Sequence, residues 1–350
     1  MVKPRKNIRI SSRRRKPTIL DVADRAGVSK SLVSMVIRGD TSVSPARRQA
    51  VLKAIEELNY RPNAMARGLV QRRTKIIGVV VSDLRNPFNG DVISGILNEA
   101  AGLGYRALIN TSDRRRDLEE DAIESFLELR VDGLVLATSR IDEQAMARAA
   151  RAVPVVVLGR RTSDDVTDSL TIDNEMGAEI AVDHLVDLGH RAIAHVSGSN
   201  SMAAQRRRTG YERAMSRHGL TDHMTIVDGG FTEAGGYRGG QALLEQQRVP
   251  TAVFAANDLC AIGVLNAFEE AGLEIPRDVS LMGYDNTSLA ALRHVSLTSI
   301  HQPGEDMGRK ATDLLFERVH HGRTSARHEV VAPSLVVRST TARPPGTTDF

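Results

Sequence analysis

The sequence predicts two folds in one chain: an all-α head of the helix-turn-helix kind, followed by an α/β core with more than one parallel sheet. Three observations carry this expectation. Residues 18 to 60 contain three helix starts in close succession, and from Ile76 onward short apolar runs alternate with amphipathic stretches. Formal charge is also divided along the chain. Up to Lys75, 19 Lys and Arg stand against 5 Asp and Glu, giving +14, while the remainder holds 28 against 38, giving −10. A basic front on an acidic body predicts that the front meets a polyanion and the body does something else.

Composition narrows the class. With 350 residues, 41% hydrophobic and 26% charged, the chain has the size and balance of about two folded domains. The single cysteine, Cys260, can form neither an internal disulfide nor a thiolate metal cage, and is expected to be a small buried residue. No apolar run is long enough to cross a bilayer, and MVKPRKNIRISSRRRKPT lacks the apolar stretch of a secretory signal. A cytoplasmic protein without membrane contact is expected. Aromatics are only 3% with no Trp, which disfavours stacking on unpaired bases and makes duplex DNA the better polyanion.

In the head, Thr18 followed by Asp21 has capping-box spacing ahead of Leu20, Val22, Ala23 and Ala26, which starts a first helix. Gly27 permits a left-handed turn, and Ser29 can cap a second helix in which Val33 and Val36 share a face. Ser44-Pro45 starts a third, with Val51, Leu52, Ile55 and Leu58 at helical spacing. Two short helices joined by such a turn place the second in a major groove, with Lys30, Ser31 and Met35 facing the bases. The alternative is a three-helix bundle without a ligand; the +14 charge weighs against it.

The runs TILDVADRAGVSKSLVSMVIRG and VSPARRQAVLKAIEELNYRPNAMARGL closely resemble the DNA-binding head of the lactose-repressor (LacI) family. The resemblance implies DNA contacts from Thr18, Ser29, Lys30, Ser31, Ser34 and Met35, and from Asn63, Ala66, Arg67 and Leu69 of a hinge helix. It also implies that the hinge folds on DNA, pairs with its dimer mate in the minor groove, and inserts Leu69 into a central base step. Wedging costs least at a flexible pyrimidine–purine step, so a palindromic operator with CG at its centre is expected. Met35 stands where many relatives carry Arg, so the half-site cannot be carried over from them. Expected boundaries are a basic extension at 1–17, the head at 18–60, hinge and linker at 61–75, the core at 76–340 and a tail at 341–350.

In the core, IIGVVV, DGLVLA, VPVVVLG, RAIAHVSG, TAVFAAND and VSLMGYD read as strands buried on both faces. Ligands in such folds sit at the carboxyl ends of strands, which singles out Asp83, Asn86, Arg160, Asn257 and Asp285. No Walker loop, H-E-x-x-H, G-x-S-x-G or dinucleotide fingerprint occurs, so no enzyme, cofactor or metal is expected. The glycines of AGGYRGG read as close packing within a helix.

RNPF, TIDNEMGAEIAVDHLVDLGHRAIAHVSG, QRRRTGY, FTEAGG, AANDLCAIG and VSLMGYDN resemble, in order, the effector core of the same family. That core is similar to periplasmic sugar-binding proteins, with two Rossmann-like parallel-sheet subdomains around a small molecule. The resemblance implies that Arg207, Asn257 and Asp285 hydrogen-bond an effector, with Asn86, Phe88 and Phe231 lining it; Arg160 joins this set from its place after a strand. For Phe88 and Phe231 core packing is the competing role, and for Arg207 with Asp285 a structural ion bridge. Arg forks, carboxylates and aromatic faces suit a polyol, so a sugar or sugar derivative is expected. The tail RSTTARPPGTTDF has no apolar heptads, predicting a homodimer rather than a tetramer. The expected function is a transcriptional regulator, most simply a repressor, switched by this effector. An exported solute-binding protein would lack the basic head, and an α/β enzyme would need a catalytic constellation.

Overall fold

A computed structural model describes residues 17–61, 73–137, 141–198 and 200–346. The chain divides into two units, Met1–Thr74 and Lys75–Phe350.

The first unit contains α1 (Ile19–Ala26), α2 (Lys30–Ile37) and α3 (Pro45–Glu57). The capping box forms as its spacing predicts: the Asp21 amide donates to Thr18 Oγ1 at 3.4 Å, and the Thr18 amide donates to the Asp21 carboxylate at 2.6 Å. Such caps satisfy helix-end donors that would otherwise lack partners, contributing about 1 kcal/mol each. Gly27 is left-handed (φ 66), and Ser29 Oγ accepts the Leu32 amide, which starts α2. The helices close over Val22, Ala23, Val33, Val36, Val43, Val51 and Ala54. Leu20 and Leu52, although apolar, are more than half exposed. Each lies one residue off the stripe defined by its buried neighbours, and a single residue turns a helix by about 100°.

The second unit has two α/β subdomains. The first begins with β1 (Ile76–Val81), α4 (Pro87–Gly102), β2 (Arg106–Thr111), α5 (Arg116–Glu128), β3 (Gly133–Ala137), α6 (Glu143–Ala152), β4 (Val155–Leu158) and β5 (Asp168–Ile172). The chain then crosses into α7 (Asn174–Asp187), β6 (Ile193–Ser197), α8 (Met202–Arg217), β7 (Met224–Asp228), α9 (Glu233–Leu244), β8 (Ala252–Ala255), α10 (Asp258–Glu270), β9 (Ser280–Asp285) and β10 (Thr298–His301). It returns through α11 (Gly304–His321) to β11 (His328–Val331), and crosses again to β12 (Ser334–Val336). Three crossovers therefore join the subdomains.

The sheet orders are β11-β5-β4-β3-β1-β2 and β12-β10-β9-β8-β6-β7. Pairing is parallel throughout except between β10 and β12. The apolar strands are covered on both faces, giving two cores per subdomain. The returning crossover is pinned by Asp168 at the start of β5, which accepts hydrogen bonds from Arg318 of α11, from Arg323 and from the Arg327 amide. The AGGYRGG glycines lie in α9, where a Cβ on Gly236 would collide with the Cys260 carbonyl of α10, and one on Gly263 with the Glu233 carbonyl. Cys260 is fully buried, as expected. The segment after residue 340 is not a loose tail at its start: Thr341 Oγ1 meets His184, and the Ala342 carbonyl meets buried His190.

Candidate ligand cleft and DNA-contacting helix

In each sheet the strand order reverses between its first and third strands, β1 and β3 in one, β6 and β8 in the other. Crevices beyond the carboxyl ends at such reversals are where open α/β sheets bind ligands. Here the carboxyl ends of both sheets border one cavity of about 510 Å3, a size that suits a small molecule.

From the first subdomain, Asn86 follows β1 and caps α4, its Oδ1 accepting the Phe88 amide at 3.1 Å. Its Nδ2 points across the cleft, 3.5 Å from Asp285 Oδ2. Phe88 is 8% exposed, one side in the core and one on the cavity. Arg160 follows β4; its Nη2 donates to the Ile141 carbonyl at 2.8 Å, and its buried Nε has no hydrogen-bond partner among the described residues.

From the second subdomain, α8 supplies Arg207, buried with 4% exposure. Its Nε donates to Asn174 Oδ1 at 2.8 Å, and its Nη1 donates to the Ala256 carbonyl and lies 3.7 Å from Asp285 Oδ1. The guanidinium stacks on Tyr284, 3.5 Å from the ring centroid, with Phe231 at 5.5 Å. Asp285, at the end of β9, adopts φ 107 and accepts a hydrogen bond from Gln302 Nε2. Burial pushes the Asp285 carboxyl above the usual carboxylate range, Arg207 opposes this, and nearby Asp258 reinforces it. Asp258 is itself pushed up by burial, although Ser299 and Thr287 donate hydrogen bonds to it.

The cavity thus brings together Asn86, Phe88, Arg160, Arg207, Phe231 and Asp285 of the expected set. Asn257 is different. It is fully buried at the N-cap of α10, its Oδ1 accepting the Cys260 amide at 2.9 Å, and it does not line the cavity. An Asn after a strand and before a helix satisfies both a binding and a capping pattern; here the cap takes Oδ1, while the buried Nδ2 has no hydrogen-bond partner among the described residues. Asn174, Gln302 and Tyr284 were missed. Asn174 and Gln302 each follow a strand (β5 and β10), the signal that singled out the others, but those two strands are not unbroken apolar runs in the sequence.

In the head, Lys30 and Ser31 are exposed on the first turn of α2. Thr18 and Ser29 serve as caps, and Ser34 Oγ accepts from Arg38 Nη1 at 3.2 Å. Met35 is half-buried against the head core, which leaves it a smaller apolar surface than a free base reader. Asn63, Ala66, Arg67 and Leu69 lie outside the described residues. Among the described residues no His, Cys, Asp and Glu cluster could hold a metal, and no helix is long and apolar enough to cross a membrane.

Residues 18–63 match the family model for bacterial regulatory proteins of the lacI family, and residues 182–341 match that for a periplasmic binding protein-like domain. Catabolite control protein A of Priestia megaterium is 37% identical over 302 residues, covering 85% of this chain and 91% of that protein. Among solved structures, the lac repressor dimer bound to operator and the anti-inducer ONPF has a TM-score of 0.82 at 29% identity, covering 94% of this chain and all of the other. The complex of the transcriptional regulator CelR with cellobiose has a TM-score of 0.69 at 32% identity, covering 93% and 99%. With a helix-turn-helix head, two parallel-sheet subdomains about one cleft, and this identity along most of its length, the chain belongs to the lacI family of bacterial regulatory proteins.

Proposed function

We propose that this repressor is switched by a small polyhydroxylated molecule, a sugar or sugar derivative, held between its two core subdomains. The observation that carries the reading is the buried cluster at the cavity wall. Arg207, Asp285, Asn174 and Asn86 present donors and acceptors from both subdomains beside the Phe231 and Phe88 rings that line the cavity, with Tyr284 buried beneath the Arg207 guanidinium. Vicinal hydroxyls match a guanidinium fork beside a carboxylate, and the C–H face of a sugar packs on an aromatic ring. The solved complex of CelR with cellobiose supports this class of ligand.

On the DNA side, Lys30, Ser31, Ser34 and Met35 read a half-site, with Thr18 and Ser29 adding backbone contacts at helix starts. The hinge residues Asn63, Ala66, Arg67 and Leu69 enter the minor groove of a palindrome with CG at its centre, two copies of the chain binding together. The lac repressor structure, a dimer on its operator, supports the dimeric arrangement. The effector acts because it binds one arrangement of the subdomains better than the other, and the coupling is reciprocal: DNA alters effector affinity by the factor by which effector alters DNA affinity.

Thermal unfolding against a panel of sugars, polyols, sugar phosphates, nucleobases and amino acids tests the ligand class. A ligand at a hundred times its Kd stabilises the native state by about 2.7 kcal/mol. A sugar or polyol is expected to raise the melting temperature and to lose that effect in Arg207→Ala. A shift produced only by nucleobases or amino acids overturns the polyol reading.

A further inference from the structure

The loop after β2 contains an arginine that the ligand-contact reading does not use. Asp113 and Arg114 are both left-handed, with φ 44 and 60, a conformation that costs non-glycine residues energy and persists only where surroundings fix it. The Arg114 amide donates to the Ser82 carbonyl at 2.8 Å, tying the loop to the end of β1. Its guanidinium lies 3.2 Å from the carboxylate of Asp83, which is itself buried and bonded to Arg85. The side chain then leaves its own subdomain. Nη1 donates to the Gly230 carbonyl at 2.6 Å and Nη2 to the Phe231 carbonyl at 3.1 Å, both beyond β7 in the second subdomain.

The receiving loop is shaped for this. Gly230 and Phe231 are also left-handed, with φ 62 and 59, and the Gly229 and Gly230 amides are anchored on the Ser197 carbonyl. The Phe231 ring lies against Gly198, where a Cβ would collide with it, and beside the Arg207 guanidinium. Arg114 and Phe231 both line the cavity.

We propose that Arg114 is a cross-cleft positioning residue, which holds the Phe231 loop against the first subdomain and so sets both the closure of the cleft and the place of its aromatic wall. The physical logic lies in its two partners. When the subdomains part, Arg114 keeps its ion pair with Asp83 and exchanges two carbonyls for water. No buried charge is left uncompensated, so the clasp opens and closes at small cost. Its consequence for the effector rests on the cleft reading above, whereas the clasp itself does not, so either can fail alone.

The test is amide hydrogen exchange on the full-length, ligand-free protein, comparing the wild type with Arg114→Gln. Exchange at residues 229–232, across the cleft, is expected to quicken about tenfold, the scale of one lost charged hydrogen bond. Arg114→Lys keeps the charge beside Asp83 but cannot fork onto two carbonyls; it is expected to quicken the same segment by a smaller factor, and carries the test should the Gln variant fold poorly. Arg115→Gln, at an exposed neighbour paired with Asp117, is expected to leave 229–232 unchanged. If exchange in the Arg114 variants rises only at residues 112–116, Arg114 merely supports its own turn and the proposal is wrong.

Discussion

At the scale of single residues, burial decides which polar groups are available to a ligand. Arg207 was legible from its R-R-T-G-Y context and Asp285 from its place after a strand, and the structure brings the two within 3.7 Å. The capping role of Asn257 Oδ1 was not legible, because the same strand–Asn–helix pattern serves both a cap and a ligand contact. Nor was the partnership of Asn86 with Asp285, residues 199 apart in sequence that meet only through the crossovers. Burial also predicts an acid sensitivity. His195 is fully buried between Tyr211 and Phe254, and burial lowers its pKa from 6.5 to about 4. A histidine depressed in the folded state stabilises the fold above its unfolded value, and that contribution is lost as pH falls from about 6.5 toward 4, amounting to about 3 kcal/mol. Buried His190 is shifted the same way, while raised Asp258 and Asp285 act in the opposite sense. In His195→Phe the fall in melting temperature between pH 6.5 and 4 is expected to be shallower than in the wild type. An unchanged slope would show that the His195 charge plays no part.

At the scale of elements, helix starts were the most legible features, since Thr18, Asp21 and Ser29 act through neighbours three residues away. Strands β1, β3, β4, β6, β8 and β9 were legible from their unbroken apolar runs, whereas β5, β7, β10, β11 and β12, which interleave polar residues, were not; nor was strand order, because pairing between β11 and β5 depends on chain that leaves one subdomain and returns. Apolar character alone does not assign a helix face: Leu20 and Leu52 are more than half exposed. Apolar residues at a helix surface are common, and only the spacing of the whole stripe assigns the face. The AGGYRGG helix gives an element-scale prediction. Because α9 and α10 touch backbone to backbone at Gly236, Gly236→Ala should lower unfolding free energy by about 2 kcal/mol, the usual cost of overpacking. Urea denaturation measures it; a loss below half of that value would mean that the two helices slide apart freely.

At the scale of the whole molecule, the division of charge at Lys75 anticipates the division into two units, met at Thr74 and Lys75. The basic unit carries the helix pair proposed to read DNA. The acidic unit carries a cleft between subdomains joined by three crossovers, a construction in which a small ligand can favour one relative arrangement over another. What could not be read from sequence is how the two act on each other, since coupling belongs to an equilibrium between arrangements. Control of operator affinity by occupancy of this cleft is the proposal on which the switch rests. Its most direct measurement is a titration of operator DNA by the wild type and by Arg207→Ala, with and without the sugar or polyol that raises the wild-type melting temperature. A ligand-dependent change in wild-type operator affinity of fivefold or more is expected, in the range of about 1–3 kcal/mol of coupling, with an unchanged ligand-free affinity and no ligand response in Arg207→Ala. A full ligand response in Arg207→Ala, or no response in a wild type shown to bind the ligand, would contradict it.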